Sequence, residues 1–304
     1  MIIPLYATSV HQVATRIVEL RAQSGVAAMA RGITLIIECD PTDLENSIQT
    51  ACSATIEHPG RVVVVTTQEP NAASTLDAQI RVGSDGGSGE VIVMRLRGPA
   101  TEHLDSAVRP LLIPDVPVAV WWPSNRPKVP ANSPLGGLAS RRITDARESQ
   151  ATLAQLTNGY TPGDTDLCWS RLTPWRSSLL AALHGRASTE PVTSAVVCGP
   201  PAVAGDLMAA WLASSLRVPT RLEPVVGSAL KSVELHFSGG SSLMLDRENT
   251  AAGVVLRQSG LPDQNLVLSG RTTPDCLAEE LRRLGPDHVY GHLVTEALPI
   301  YQRS

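Results

Sequence analysis

The stretch Gly32-Ile33-Thr34-Leu35-Ile36-Ile37-Glu38 is a continuous apolar and β-branched run, and Arg61-Val62-Val63-Val64-Val65-Thr66 repeats this pattern further along the chain. Such runs are typical of strands that are buried on both faces, as in parallel sheets. Apolar residues at helical spacing between about residues 10 and 21 predict a helix before the first run, and a second helix is predicted between the two runs, beginning near Pro41. Helix and strand therefore alternate, which predicts a parallel sheet covered by helices.

The pattern changes after the second strand. Residues 78–83 and 90–97 are two extended runs without a helix between them, which predicts a hairpin. Residues 116–122 predict another strand, and residues 123–138 contain too many prolines and glycines for regular structure. Because open α/β sheets usually place function beyond the carboxyl ends of their strands, this long loop is a candidate functional segment. A helix is predicted from Asp166 to about Leu183, capped by Asp164 or Thr165.

At 304 residues the chain is long enough for two domains, and residues 184–191 read as a linker. We predict an N-terminal α/β domain over residues 1–185, with a mixed but mostly parallel sheet flanked by helices. Residues 190–304 are predicted to form a smaller C-terminal mixed α/β domain, because a strand and a helix are followed there by four short extended segments and two further helices.

Composition excludes several classes of protein. The formal net charge is -4 and the only lysines are Lys128 and Lys231, so no basic stripe suited to nucleic acid is present. No apolar run approaches the roughly 20 residues that a membrane span needs. The five cysteines are widely spaced and odd in number, which encodes neither a disulfide framework nor a zinc ribbon. We therefore expect a cytoplasmic protein that binds neither nucleic acid nor membrane.

Tryptophan is concentrated in one region of a chain that has a single phenylalanine. Tryptophan and arginine are enriched at the energetic centres of protein interfaces, although tryptophan also anchors protein interiors, and we expect about half of these indoles to be structural. The predicted partner-binding set comprises Trp121, Trp122, Arg126, Asp164, Asp166, Trp169, Arg171, Trp175 and Arg176. For an exposed anchor such as Trp122 or Trp175, replacement by alanine is expected to weaken binding roughly thirtyfold without disturbing the fold.

Other patterns that could carry chemistry have simpler structural interpretations. Asp164-x-Asp166 could bind a divalent cation, but a cap and a first-turn charge are favoured at a helix start. The glycine-rich residues 83–89 precede a strand and not a helix, which favours a hairpin connection over a phosphate loop. The histidines form no catalytic or metal-binding motif. The sequence predicts no catalytic residue, no cofactor and no metal.

Several segments together resemble the OpcA family, the glucose-6-phosphate dehydrogenase assembly proteins of actinobacteria and cyanobacteria. The similarity is strongest over residues 30–180, and the arginine-rich, lysine-poor composition resembles the actinobacterial branch. The segments that carry it are His58-Pro59-Gly60-Arg61-Val62, residues 76–83, Pro114-Asp115-Val116-Pro117 leading to Trp121-Trp122-Pro123, Arg141-Arg142-Ile143-Thr144-Asp145, residues 164–176, and residues 276–284.

The resemblance implies a non-enzymatic protein that binds glucose-6-phosphate dehydrogenase, promotes its active oligomer and activates it at the entry to the oxidative pentose phosphate pathway. On this reading, residues 123–138 and the start of the Asp166 helix form the docking face. The alternative is an enzyme or sensor that binds a nucleotide or sugar phosphate at the strand ends of the N-terminal domain. In cyanobacterial relatives, cysteines are tied to thioredoxin-linked redox control, and this property is not carried over to the present chain because its sequence has no close cysteine pair.

Overall fold

The computed structural model describes residues 1–24, 32–56, 60–82, 89–184, 190–227, 229–247, 253–268 and 270–301. By internal contacts the chain forms two interleaved units. The first unit comprises Met1–Ser149, Thr161–Leu167 and Thr273–Asp287, and the second comprises Gln150–Tyr160, Cys168–Thr272 and His288–Ser304. The middle of the predicted linker, residues 185–189, lies outside the described residues. The predicted domains 1–185 and 190–304 stay a prediction.

The first unit is built on an eight-stranded sheet with the spatial order β1-β4-β5-β3-β2-β6-β7-β8. The six strands from β5 to β8 in this order run parallel, whereas β4 is antiparallel to both β5 and β1. The strands are β1 (Ile2–Leu5), β2 (Ile33–Glu38), β3 (Gly60–Gln68), β4 (Thr75–Arg81), β5 (Glu90–Arg97), β6 (Val118–Trp122), β7 (Arg141–Thr144) and β8 (Asp164–Asp166).

Helices cover both faces of this sheet. On one face, α1 (Val10–Ser24) and α3 (Leu104–Val108) pack on a core that includes Ile36, Val63 and Ile92. On the other face, α2 (Leu44–Ala54) and α8 (Thr273–Arg282) pack on a core that includes Ile37, Val64 and Val93. Successive strand residues thus enter opposite cores, as the pleat requires. This is why the central residues of β2 and β3 are apolar or β-branched on both faces.

The second unit is built on a six-stranded sheet with the order β10-β9-β11-β12-β13-β14. Only β9 and β10 pair in parallel, and the remaining neighbours are antiparallel. The strands are β9 (Val192–Gly199), β10 (Thr220–Pro224), β11 (Ser232–Phe237), β12 (Ser242–Asp246), β13 (Gly253–Gln258) and β14 (Gln264–Val267). The α-helices of the second unit are α4 (Leu153–Thr157), α5 (Leu167–Arg171), α6 (Thr173–Leu183), α7 (Val203–Leu216), α9 (His288–His292) and α10 (Leu298–Tyr301). The first residue of α5 belongs to the first unit, and a π-helical turn spans Leu293–Ala297.

The predicted fold class is confirmed: a mixed, mostly parallel sheet flanked by helices is accompanied by a second, more antiparallel α/β unit. The hairpin of β4 and β5 is also confirmed, although residues 83–88 of its connection lie outside the described residues. One predicted element is wrong, because Asp164–Asp166 is strand β8 and the following helix is divided into α5 and α6. None of the helices in the described part of the chain is long and apolar enough to cross a bilayer.

The first sheet has a point at which chain connections diverge. From β2 the chain continues through α2 to β3 on one side, while from β6 it continues through residues 123–140 to β7 on the other side. The strands β2 and β6 are parallel neighbours, so their carboxyl ends lie side by side. The two connections leave these ends in opposite directions, and a crevice lies between them. In open α/β sheets this is the usual position for a ligand.

Candidate functional site

Trp121 and Trp122 end strand β6 and point to opposite faces of the sheet. Trp122 belongs to the core beneath α1 and α3, and Trp121 belongs to the core beneath α2 and α8. Their relative exposures are 2% for Trp121 and 1% for Trp122. The indole Nε1 of Trp122 donates a hydrogen bond to Oε2 of Glu38, at the end of β2, over 2.7 Å. Both side chains are therefore part of the interior of the first unit.

Trp169 and Trp175 lie on α5 and α6 in the second unit and are also buried, at 1% and 3% exposure. Trp169 packs against Tyr290 with ring centroids 6.0 Å apart, and Tyr290 meets Tyr160 edge-on at 6.1 Å. The guanidinium carbon of Arg176 lies 3.4 Å from the Trp169 ring centroid, within cation–π distance. This aromatic cluster is structural, and no sequence pattern singled out its two tyrosines.

The two aspartates of the predicted set are buried in the first unit and already have protein donors. Asp164 forms an ion pair with Arg142 and accepts the backbone N–H of Thr161 at 2.9 Å. Asp166 accepts the Thr144 hydroxyl at 2.6 Å and the backbone N–H of Ala146 at 3.0 Å. The predicted helix cap is wrong, because these carboxylates tie β8 to β7 and to the turn that follows β7.

The three arginines of the set are half-buried. Arg176 donates to the Thr173 hydroxyl at 2.9 Å in addition to covering Trp169. The Nε of Arg126 is buried without a hydrogen-bond acceptor among the described residues. Arg126 belongs to the first unit, while Arg171 and Arg176 belong to the second.

The expectation that about half of the tryptophans form an exposed anchor surface is therefore wrong. All four indoles are buried because the chain brings helices, strands and tyrosines over them from distant positions. The tryptophans that cluster in the sequence are core residues of two different units, and they do not form a recognition surface. Whether Arg126, Arg171 and Arg176 contact a partner stays a prediction.

The loop after β6, residues 123–138, is held in a defined shape. Leu135 is fully buried in the core beneath α1 and α3 and anchors the middle of the loop. The Ser133 hydroxyl donates to the Pro130 carbonyl at 2.8 Å and accepts the Gly136 N–H at 3.0 Å, which closes a compact turn. Lys128 projects from this loop and is exposed.

The carboxyl ends of β2 and β6 are joined by polar side chains. The Ser124 hydroxyl donates to Asp43 at 3.1 Å, and the Asn125 amide donates to Asp40 at 2.5 Å. Burial raises the pKa of Glu38 above its usual value, and the hydrogen bond from Trp122 offsets only part of this effect. The strand ends therefore carry acidic groups, and the segment 39–43 between β2 and α2 contains no glycine that would let a phosphate approach the backbone.

Each of the five cysteines is buried or partly buried. Burial is the largest cause that raises the pKa of the Cys39 thiol, to about 11, and burial also raises the pKa of Cys52. A thiolate is the reactive form of cysteine, so these two side chains are poor candidates for redox chemistry.

Comparison with known proteins gives two matches to family profiles. The profile described as the glucose-6-phosphate dehydrogenase subunit N-terminal domain matches residues 51–159, and the profile described as the C-terminal domain of that subunit matches residues 162–294. Both profiles carry the OpcA family name, and together they span most of the chain. No curated protein sequence matches the chain.

Two solved structures align with most of the chain. The X-ray crystal structure of glucose-6-phosphate 1-dehydrogenase from Mycobacterium avium is 10% identical, with 90% of this chain and 92% of that chain covered and a TM-score of 0.46. The crystal structure of an oxidoreductase from Sinorhizobium meliloti is 10% identical, with 89% of each chain covered and a TM-score of 0.39.

Proposed function

The chain belongs to the OpcA family of glucose-6-phosphate dehydrogenase assembly subunits, and on this premise we propose that it binds glucose-6-phosphate dehydrogenase, promotes its active oligomer and raises its activity. The observation that carries this proposal is the match of both family domains, one after the other, over residues 51–159 and 162–294. The proposed setting is the cytoplasm, at the entry to the oxidative pentose phosphate pathway.

The proposed role is non-catalytic. The family descriptions name domains of a subunit and an assembly protein, which supports a role in association. A partner can activate an enzyme only by binding its active state more tightly than its resting state. The proposal therefore requires differential affinity for two dehydrogenase conformations and no covalent chemistry in this chain.

The alternative, a phosphate-binding enzyme or sensor at the strand ends, is less well supported. The connection from β2 to α2 carries Asp40 and Asp43 at the position where a phosphate-binding loop would need backbone N–H groups and positive charge. Two carboxylates there repel an anion. We therefore retain the assembly function as the conclusion.

For the docking surface in the first unit, we propose the loop over residues 123–138. Its compact turn and buried Leu135 hold it in one shape, and a preorganised loop loses little conformational entropy on binding. Arg126 and the exposed Lys128 give it a positive edge in a chain that is acidic overall. In the second unit, Arg171 and Arg176 stay proposed contacts. Trp122 shares a core with Leu135 and is proposed to support the loop from beneath. The other buried members of the predicted set, Trp121, Trp169, Trp175, Asp164 and Asp166, are proposed to stabilise the units that present these surfaces.

The direct test is an assay of the same organism's dehydrogenase with and without the purified chain. Native mass measurement of the mixture is expected to show a complex that contains the dehydrogenase oligomer, and turnover at fixed substrate is expected to rise. Assembly without any change in KM or kcat would reduce the function to a scaffold. Failure of the two proteins to associate would refute the proposal.

Two adjacent glycines provide a matched test of the loop. A Cβ at Gly136 would overlap the backbone carbonyl oxygen of Pro130, whereas a Cβ at Gly137 has nothing within 4 Å. Gly136→Ala is therefore expected to disturb the turn and weaken dehydrogenase binding, and Gly137→Ala is expected to bind like the wild type. Lys128→Ala tests the same surface without disturbing the turn. If all three variants bind normally, the loop is not part of the interface.

A further inference from the structure

A cleft of about 420 Å³ opens beyond the carboxyl ends of β2, β6 and β7 in the first unit. Its walls come from α2, from the residues that follow these three strands, and from the first turn of α8. The cleft therefore lies where the connections of β2 and β6 diverge, which is the usual ligand position of an open α/β sheet. It is separate from the proposed docking loop, apart from the first residues after β6.

The lining of the cleft is rich in hydrogen-bond acceptors and negative charge. Three carboxylates contribute to it: Asp43 from the segment before α2, and Asp145 and Glu148 from the turn after β7. The side-chain amides of Asn46 and Gln49 also line it. None of the described residues that line the cleft is lysine, arginine or histidine. A cleft with one sign of charge concentrates ligands of the opposite sign.

A second observation also points to a ligand. Trp121 forms part of the wall of the cleft and is only 2% exposed, and its indole Nε1 has no hydrogen-bond acceptor among the described residues. A buried N–H without an acceptor is unfavourable, and native proteins usually satisfy such groups. An acceptor oxygen brought by a ligand would satisfy it.

We propose that this cleft binds a guanidinium or ammonium group that is accompanied by a carbonyl oxygen. The cation is held by Asp43 and Glu148, with Asp145 adding charge from the buried wall, and the carbonyl oxygen accepts the Trp121 N–H. A planar guanidinium matches carboxylate pairs particularly well, because it donates several N–H groups in one plane. The chemistry is that of an arginine derivative, supplied either as a free small molecule or as an arginine residue of a protein.

The test uses the full chain labelled with ¹⁵N and a blocked arginine, N-acetyl-arginine amide, as the probe. The five tryptophans give separate indole N–H resonances, and through-bond assignment identifies that of Trp121 without any substitution. The Trp121 resonance is expected to shift saturably with the arginine derivative, and the apparent affinity is expected to fall as salt is raised. N-acetyl-citrulline amide, which has nearly the same shape without the charge, is expected to leave it unmoved.

A pair of matched variants separates this cleft from general surface charge. Glu148 and Glu19 are both half-exposed and each pairs with a nearby arginine in sequence, Arg147 and Arg16 respectively. Glu148→Gln is expected to weaken binding of the probe about two- to fivefold, which is the effect of one solvent-accessible ion pair, and Glu19→Gln is expected to have no effect. Asp43→Asn is expected to act like Glu148→Gln.

The absence of a saturable Trp121 shift, an equal shift with the citrulline derivative, or an equal effect of the two glutamine variants would overturn the inference. A competition experiment then identifies the source of the cation. If the probe weakens association with the dehydrogenase, the natural group is an arginine of that protein. If association is unchanged, the group is a free small molecule. The titration needs no dehydrogenase, so failure of the proposed function leaves it intact.

Discussion

Replacement of Trp122 by alanine distinguishes an interior tryptophan from an interface anchor. Trp122 is 1% exposed and shares a core with Ile36, Val120 and Leu135. Truncation of a buried tryptophan to alanine costs about 3–5 kcal/mol, because packing is lost and a cavity remains. The partly buried Glu38 carboxylate also loses the indole N–H, which adds about 1–3 kcal/mol for a polar group that loses its hydrogen bond. The sum of about 4–8 kcal/mol is comparable to the whole stability of an ordinary domain.

The assay is denaturant unfolding followed by circular dichroism, with Trp122→Phe as the matched control. Phenylalanine keeps most of the packing and removes the N–H, so its expected cost is about 1.5–3 kcal/mol, the value of a hydrogen bond to a charged group. Trp122→Ala is expected to be largely unfolded, or close to it, at 37 °C. Loss of dehydrogenase binding in this variant would then report unfolding and not a lost contact.

The reasoning is refuted by one pattern of results. If Trp122→Ala keeps the stability of the wild type within about 1 kcal/mol while dehydrogenase affinity falls roughly thirtyfold, the indole acts as an exposed anchor. Its burial under α1 and α3 would then not describe the protein in solution.

Three further predictions follow from buried charged and thiol groups. Arg141→Ala is expected to cost about 3–5 kcal/mol in unfolding measurements, because it removes the Arg141 guanidinium from the buried Glu280 carboxylate. The double replacement Arg141→Met with Glu280→Leu is expected to cost much less, and equal costs would contradict this. Because the folded-state pKa of Glu38 is raised, the contribution of this side chain to the free energy of unfolding is fully present below the ordinary carboxyl pKa and is lost as pH rises through the raised value. In denaturation curves, the stability of Glu38→Gln relative to wild type is therefore expected to increase with pH over that window. A difference that stays constant with pH would show that burial does not perturb Glu38. Because its pKa is about 11, Cys39 is expected to react with maleimide at pH 8 roughly a hundredfold or more slowly than an unperturbed thiol. Peptide mapping measures the rate of labelling, and an ordinary rate would contradict the burial of Cys39.

Local sequence was sufficient to predict an element where its own residues permit only one kind of environment. The apolar run of β2 has no polar face, so only a position between two layers of helices suits it. An apolar segment of helical length after the turn at Pro200 and Pro201 predicts a helix over residues 203–216, and the observed α7 has these bounds. The strand β7 was missed because its Arg-Arg-Ile-Thr sequence looks exposed, whereas Arg141 and Arg142 are buried against Glu280 and Asp164.

The sequence by itself determined the class of fold, the alternation of helix and strand in the first unit, and membership of the family, because each depends on short segments read in order. Only the tertiary structure decided which tryptophans are accessible, since covering Trp122 takes Glu38 from β2 and Leu135 from the loop, and covering Trp169 takes Tyr290 from near the end of the chain. The acidic cleft likewise exists only because parallel strands bring Asp43, Trp121 and Glu148 to one edge of the sheet. Burial is a sum over contacts that are distant in sequence, and a local pattern of residue types does not contain it.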